Sequence, residues 1–217
     1  MEEQDTKKKI LDVAEHLFAE NGISATSLRR VTSGAGTNLA SIHYHFGSKE
    51  ALIKAVYLRR MEPINRERER LLAGVDYTEN TEKVLEDVLR SFIEPMLIVH
   101  ISINEEQRAF IKLFEKAQSE SNEIKNLIIT NFEKTNKKFF KIFKKILPEL
   151  PETDLIWRFK FIIGVVLASA RPYPNSGPFA IKKLVNLDVD FHLNRIIPFL
   201  IAGFQAPTAV PDKRRKK

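Results

Sequence analysis

The sequence predicts an all-α protein. Three observations carry that expectation. Apolar residues recur with a period near 3.6 in almost every segment, no period-2 alternation persists, and capping or breaking residues punctuate the stripes at helical lengths. In chain order, Ile10, Val13, Ala14, Leu17 and Phe18 form the first stripe, with Asp5 or Thr6 placed to cap it and Asn21-Gly22 to stop it. Two short helices follow, over 28–33 and 38–45. Ser48 then caps a helix with Glu50 in its first turn, where the helix dipole favours a carboxylate. That helix carries Leu52, Ile53, Val56 and Tyr57, and Pro63 is expected to kink or break it. After a polar stretch at 74–80 comes the stripe Val84, Leu85, Val88, Leu89, Phe92 and Ile93, which ends before Pro95. A helix over 105–116 turns Phe110, Leu113 and Phe114 inward. One long helix is expected over 122–147, with Ile124, Leu127, Ile128, Phe132, Phe139, Ile142, Phe143 and Ile146 as its stripe. Segment 155–170 is apolar on almost every side, which predicts burial between neighbours. Residues 171–178 read as a proline-rich loop, and 191–204 as a last helix kinked at Pro198.

Composition narrows the classes. A chain of 217 residues suits one large or two small domains, here 1–60 and 61–210, with a basic tail over 211–217. Hydrophobic residues make up 43%, charged residues 29%, and the mean hydropathy is −0.23, all ordinary for a globular chain. The net charge is +7, from 35 basic and 28 acidic residues, which favours an anionic partner. There is no cysteine, so disulfide scaffolds, thiolate zinc sites and cysteine nucleophiles are excluded. The polar, acidic start does not read as a signal peptide. The longest apolar run, 161–170, falls short of the roughly 20 residues a membrane span needs. A cytoplasmic protein without membrane association is the expectation. No nucleophile elbow, phosphate-binding glycine loop or His-Glu-x-x-His is present, so neither an enzyme nor a cofactor is expected. His43 and His45 lie two apart on a helix and point some 200° apart, so they cannot share a metal ion.

Residues 26–49 carry the functional information. Thr26-Ser27 offers a cap for one short helix, Gly34-Ala35-Gly36 a tight turn, and Asn38 a cap for the next. Two short helices joined by a glycine turn form a helix-turn-helix, whose second helix enters the DNA major groove. No acidic residue occurs between Glu20 and Glu50, while Arg29, Arg30 and Lys49 are basic, as a phosphate-facing surface requires.

The ordered blocks Ile10-Leu11-Asp12-Val13-Ala14, Leu17-Phe18-Ala19-Glu20-Asn21-Gly22, Ala25-Thr26-Ser27-Leu28-Arg29, Ala35-Gly36 and Tyr44-His45-Phe46-Gly47-Ser48-Lys49-Glu50-Ala51-Leu52 resemble the DNA-binding domain of the TetR family. The resemblance covers residues 6–55. It implies an all-helical homodimer whose N-terminal domain reads a palindromic double-stranded operator, and whose C-terminal domain holds a small-molecule pocket and the dimer seam. The chain departs from the family at Thr37-Asn38-Leu39-Ala40, where Val-Ser-Lys-Gly is frequent, and at Val31-Thr32, where Ile-Ala is frequent. The run 38–46, with Pro63-Ile64-Asn65-Arg66-Glu67-Arg68, resembles a branch that includes PsrA-like regulators, which respond to long-chain fatty acids or their thioesters.

The expected DNA-facing residues are Thr26, Ser27, Arg29, Thr37, Asn38, Ala40, Ser41, His43, Tyr44, His45 and Lys49. Helical projection puts Leu39, Ile42 and Phe46 on a core face, with Thr37, Ala40, Ser41 and Tyr44 opposite; burial or van der Waals contact is favoured for Leu39. Ala40 suits a thymine methyl and Ser41 either base or phosphate. Tyr44 and Lys49 suit phosphate. The C-terminal half is rich in Phe, which is core packing for most of them and, for some, the wall of an apolar cavity. Phe92, His100, Asn104, Arg108, Phe110, Phe114, Asn131 and Arg171 are the residues expected to line a pocket for a small hydrophobic ligand, a fatty acid or acyl thioester being the class the narrower resemblance implies. The dimer seam is expected at 155–170 and 191–204, with Val166 in it. The alternative is a helical small-molecule binding or sensor protein that does not bind DNA specifically, and the acid-free basic segment argues against it.

Overall fold

A computed structural model describes residues 2–101, 105–117, 119–130, 133–169 and 188–208. Every regular element among the described residues is a helix, and these residues form two compact units. Residues 1–66 and 102–135 make the first unit; residues 67–101 and 136–217 make the second. The linear division near residue 60 therefore falls inside a helix, and 102–135, grouped by sequence with the C-terminal part, sits with the N-terminal unit.

The first unit contains α1 (Glu2–Asn21), α2 (Leu28–Ala35), α3 (Leu39–Phe46), the first part of α4 (Lys49–Ala73), α6 (Glu105–Ala117) and α7 (Asn122–Thr130). Its core joins Ile10, Ala14 and Phe18 of α1, Val31 of α2, Ile42 of α3, Leu52, Ile53, Val56 and Tyr57 of α4, Leu113 and Ala117 of α6, and Ile128 of α7. Each large apolar side chain fully buried there contributes about 1.5–3 kcal/mol. The Tyr57 hydroxyl donates to the Leu113 carbonyl at 3.1 Å, satisfying the polar end of an otherwise apolar ring. Phe110 and Phe114, expected in a ligand pocket, stand edge to face at 4.9 Å, and Phe114 meets the Tyr57 ring at 5.5 Å, so both are packed into this unit. Glu15 is buried on α1, where the guanidinium groups of Arg59 and Arg60 on α4 both donate to it and so compensate its charge.

The second unit holds the rest of α4, α5 (Thr81–Ile101), most of α8 (Glu133–Ile146), α9 (Glu152–Ser169) and α10 (Val189–Gln205). Phe92 lies edge-on to Phe139 at 4.9 Å and against Phe159 at 5.3 Å; Phe143 stacks on Phe204 at 5.1 Å. Arg68 is buried beside them. Its Nε donates to the Phe92 carbonyl at 2.8 Å and its guanidinium lies 4.0 Å from the Phe92 ring centroid. Burial pushes the Arg68 pKa down to about 9. Arg158 of α9 donates to the carbonyls of Phe204 and Ala206, capping the end of α10, which carries no basic residue in its own last turn.

Several elements differ from the sequence reading. α1 begins at Glu2, so Asp5 and Thr6 lie inside it and Asp5 pairs with Lys9 one turn on, at 2.7 Å. Pro63 and Pro95 sit within helices that continue past them, as Pro198 does within the last helix, where it was expected. Each removes one helical hydrogen bond. The apolar stripe resumes beyond each, as with Phe92 and Ile93 before Pro95 and Met96 and Leu97 after it, so packing keeps the helix going. The helix expected over 122–147 is described as α7 and α8, with residues 131 and 132 outside the description. Its stripe is divided: Ile128 packs in the first unit, Phe139 and Phe143 in the second. Segment 155–170 is not buried on every side. Ile156, Trp157, Phe161 and Ile163 are exposed, with Trp157 and Phe161 each 57% accessible. Val166 is buried in its own protomer, which removes it from the expected seam. The loop 171–178 and the basic tail lie outside the described residues.

Candidate nucleic-acid interface

The interface is built from two short helices and the caps that set their angle. α2 starts at Ser27, whose extended backbone and side chain, accepting from the Arg30 N–H, make it the N-cap. Thr26 takes a different role from the expected one. It is fully buried, and its hydroxyl donates to the Gly22 carbonyl at 2.7 Å, closing the corner after α1. It therefore leaves the set of DNA-facing residues. Glu120, in the turn between α6 and α7, grips the same corner: its carboxylate accepts from the Ile23 N–H at 2.6 Å and from the Ser24 hydroxyl at 2.5 Å. Burial alone would raise the Glu120 pKa. The hydrogen bonds from Ser24 and Ile23, with Lys49 nearby, outweigh it and hold the carboxyl below its ordinary value.

Between the two helices the turn is Gly36-Thr37. Gly36 has φ +62°, a left-handed conformation that a side chain disfavours. Gly34, expected in that turn, belongs instead to α2. A Cβ built on it would stand 2.8 Å from Cγ1 of Val13, so its bare backbone is what lets α2 lie against α1.

α3 is capped by Asn38, whose Oδ1 accepts the Ser41 N–H at 3.0 Å. The Thr37 hydroxyl donates to Ser41 Oγ at 2.7 Å, so these three polar residues orient one another. Ile42 is the buried anchor of the helix. Leu39, Ala40, His43 and Tyr44 are exposed, Tyr44 by 74% and Leu39 by 40%. Leu39 thus faces outward, and the exposed face is rotated toward Leu39 and His43 relative to the projection. His45 is half-buried, with its ring edge-on to Tyr44 at 5.1 Å. The Tyr44 hydroxyl donates to Glu3 Oε1 at 3.0 Å, which puts a carboxylate from the start of α1 beside the exposed face. Arg29 is exposed on α2. Ser48 caps α4 by accepting the Ala51 N–H, and Lys49 occupies the first turn of that helix, where the dipole disfavours a cation and a phosphate would relieve it. Residues 27–51 therefore hold three capped helix N-termini, the basic residues Arg29 and Lys49, and one exposed helix face.

Of the residues expected around a ligand, three have described side chains. Phe92 is in the second unit, Phe110 and Phe114 in the first. The side chains of His100 and Arg108, and residues Asn104, Asn131 and Arg171 altogether, lie outside the described residues. Arg68, Glu15 and Glu120 were missed from sequence. Arg68 and Glu15 had a trace there, since each stands four residues from apolar neighbours on both sides: Ile64 and Leu72, Leu11 and Ala19. Among the described residues no three His, Asp or Glu side chains are grouped to hold a metal ion. None of their helices is long and apolar enough to cross a membrane.

Comparison with known proteins agrees with this arrangement. The match to UidR of Escherichia coli (strain K12), an HTH-type transcriptional regulator, is 36% identical over 61 residues, or 28% of this chain and 31% of UidR. The chain thus spans about a third of that relative. Two solved structures share the fold across nearly the whole chain. NalD, a secondary repressor of a multidrug efflux pump in Pseudomonas aeruginosa, gives a TM-score of 0.63 at 19% identity, covering 94% of this chain and 97% of NalD. FadR from Bacillus subtilis, solved with stearoyl-CoA, gives 0.59 at 16% identity, covering 90% and 98%. The tetR family of bacterial regulatory proteins matches residues 10–56, over the helix-turn-helix, and the tetracyclin repressor-like C-terminal domain matches residues 90–203. With both parts matched in order, the chain belongs to the TetR family of helix-turn-helix DNA-binding transcriptional regulators.

Proposed function

We propose that this protein is a repressor that binds a palindromic operator as a homodimer and leaves it when a small hydrophobic ligand occupies its C-terminal half. The observation that carries the reading is the exposed face of α3, in a short stretch of chain that also holds the capped N-termini of α2, α3 and α4 and the basic residues Arg29 and Lys49. Helix N-termini and basic side chains are the groups that hold phosphates, and they would fix α3 in the major groove. Tyr44 and Lys49 are assigned to phosphate, Ala40 and Leu39 to apolar contact with base edges, and Ser27, Thr37, Asn38 and Ser41 to the pre-set start of each helix. His43 and His45 complete the set, His43 on the open face and His45 at its margin.

The dimer reading rests on α9 and α10. Trp157, Phe161 and Gly164 follow one another at helical spacing on an exposed stripe of α9, and Phe199, 67% accessible, shares an exposed face of α10 with Ala202 and Gly203. Large rings beside small residues let two helix pairs approach closely, and an apolar surface of this kind is what an obligate interface buries. Two α3 helices held about 34–36 Å apart would then meet successive turns of the groove. A ligand that prefers a different spacing would weaken operator binding by its differential affinity for the two states.

The ligand class proposed is a long-chain acid or its thioester, supported by the sequence resemblance, the phenylalanine-rich core of the second unit and the buried Arg68 cation within it. Each methylene buried adds about 0.8 kcal/mol, so affinity should climb with chain length until the space is full. The test is fluorescence anisotropy on the DNA upstream of the protein's own gene, followed by titration with acids and thioesters of increasing length. Specific binding that longer chains release supports the reading. Equal affinity for this DNA and random duplex sinks the repressor; acyl chains inert at every length sink the ligand.

A further inference from the structure

The open face of α3 carries two side chains without hydrogen-bonding groups, Leu39 and Ala40, and a tyrosine whose hydroxyl donates to Glu3. The remaining member is His43, close to the middle of that face. Its Nδ1 lies 2.9 Å from the main-chain oxygen of Gly47. A carbonyl oxygen only accepts, so the contact holds a proton on Nδ1, and a neutral ring with Nδ1 protonated leaves Nε2 as a bare acceptor. The partner is itself well fixed. The Gly47 N–H donates back to the carbonyls of Ile42 and His43 at 3.3 and 3.0 Å, closing the end of α3. Nε2 makes no hydrogen bond with any described residue.

We infer that His43 is a specificity-determining residue that reads an exocyclic amine, adenine N6 or cytosine N4, in the major groove. The inference rests on the reading of α3 as the groove-entering helix. In that groove adenine and cytosine present amine donors, whereas guanine and thymine present the carbonyl oxygens O6 and O4. An Nε2 lone pair accepts from the first two and opposes a lone pair on the others. A pre-set tautomer therefore separates amino from keto bases at one position in each half-site. The same lone pair is repelled by phosphate oxygens, which distinguishes His43 from its neighbours Tyr44 and Lys49. Leu39 and Ala40, one turn earlier, flank it with apolar surface that excludes water from the contact without competing for it.

The experiment has two arms. The first leaves DNA out: nitrogen-15 NMR of the histidine-labelled full chain at pH 8, above the ordinary imidazole pKa of about 6.5. A His43 ring protonated on Nδ1 is expected, and a ring protonated chiefly on Nε2 overturns the inference. The second selects binding sites from randomised duplexes with the wild-type chain, His43→Ala and His43→Arg. In the wild type one position per half-site should be restricted to A or C by about ten-fold, His43→Ala should relax that position alone, and His43→Arg should move it toward G. Coincident profiles for wild type and His43→Ala, or relaxation at a position that had been G or T, overturn it. If the wild type selects no sequence although the ring is protonated on Nδ1, it is the operator-binding function that fails, and the inference falls with it.

Discussion

The corner held by Glu120 offers a quantitative test of how the first unit is tied together. Glu120→Ala removes the acceptor for three donors: the Ile23 N–H, the Ser24 N–H and the Ser24 hydroxyl. The two Ser24 groups are exposed, and water replaces their partner at little cost. Ile23 is fully buried, and its N–H is left without this acceptor, which costs about 1–3 kcal/mol. A loss of about 2 kcal/mol at pH 7 is expected, equivalent to a Tm lower by about 4–8 °C in a chain of this size. Glu120→Gln keeps an acceptor oxygen without its charge and should lose about half as much. The sign with pH follows from the depressed carboxyl. Its contribution is fully present above the unfolded value near 4.5 and disappears as pH falls through and below it, so wild type and Glu120→Gln should converge in acid. Thermal melts followed by circular dichroism, at one fixed protomer concentration because dimerisation shifts Tm, read both effects. Melts of Glu120→Ala that overlay the wild type at pH 7, or a Glu120→Gln difference that stays constant from pH 7 to acid, would refute the reasoning.

Three further outcomes are expected. Gly34→Ala puts a methyl 2.8 Å from a stiff, β-branched Val13 and should cost about 1–3 kcal/mol in denaturant unfolding, most of it recovered in a Val13→Ala background; a neutral Gly34→Ala would show that α1 and α2 can part freely. Phe161→Asp should weaken self-association at least thirty-fold, about 2 kcal/mol, in sedimentation while the protomer stays folded, whereas Val166→Asp should unfold the protomer itself; an unchanged dimer for Phe161→Asp removes α9 from the seam. Tyr44→Ala and Lys49→Ala should weaken operator and random DNA alike, Lys49→Ala also flattening the salt slope by about one unit, while Glu3→Ala, by freeing the Tyr44 hydroxyl and removing a negative charge, should tighten both; a change of preferred sequence with Tyr44→Ala or Lys49→Ala contradicts their assignment to phosphate.

The helix-turn-helix was legible because its determinants are local. Ser27, Gly36, Asn38 and Ser48 act on backbone groups within a few residues, and the stripes that anchor the helices need only a period. Where locality ends, the reading failed in instructive ways. Thr26 and Ser27 are equally good caps on paper. The choice between them is made by the Gly22 carbonyl, which becomes an acceptor for Thr26 only when α1 stops and turns. Gly34 looked like part of the turn because nothing in the chain announces that Val13, twenty-one residues earlier, lies against it. Helical projection places Leu39 on the core face, yet Ile42 and the half-buried Phe46 are the α3 side chains that pack on the core, and Leu39 stays on the open side of the helix.

Composition misplaces charge for the same physical reason. Arg68 stands in the run Arg66-Glu67-Arg68-Glu69-Arg70, which composition reads as solvated helix surface. Yet Met61, Ile64, Arg68 and Leu72 follow one another at three- and four-residue steps, and all four are buried. Periodicity therefore ranks above residue type: a cation at the next position of an apolar stripe is inside, and the relevant question is what compensates it. For Glu15 the compensation is visible, since Arg59 and Arg60 come from α4 to meet it. For Arg68 it includes the Phe92 carbonyl and ring, and burial holds its pKa below the ordinary guanidinium value. A guanidinium set among phenylalanine rings is the group that the anionic end of a ligand entering that core would seek. That makes Arg68, more than Arg108 or Arg171, the side chain to substitute first when the anionic end of a ligand is sought. Arg68→Met should keep the apolar contacts with Phe92 while removing the charge. If the acyl-ligand reading holds, release of DNA by a long-chain acid should then need a higher concentration, while release by the corresponding uncharged alcohol should not change. Equal shifts for acid and alcohol would mean that Arg68 only packs.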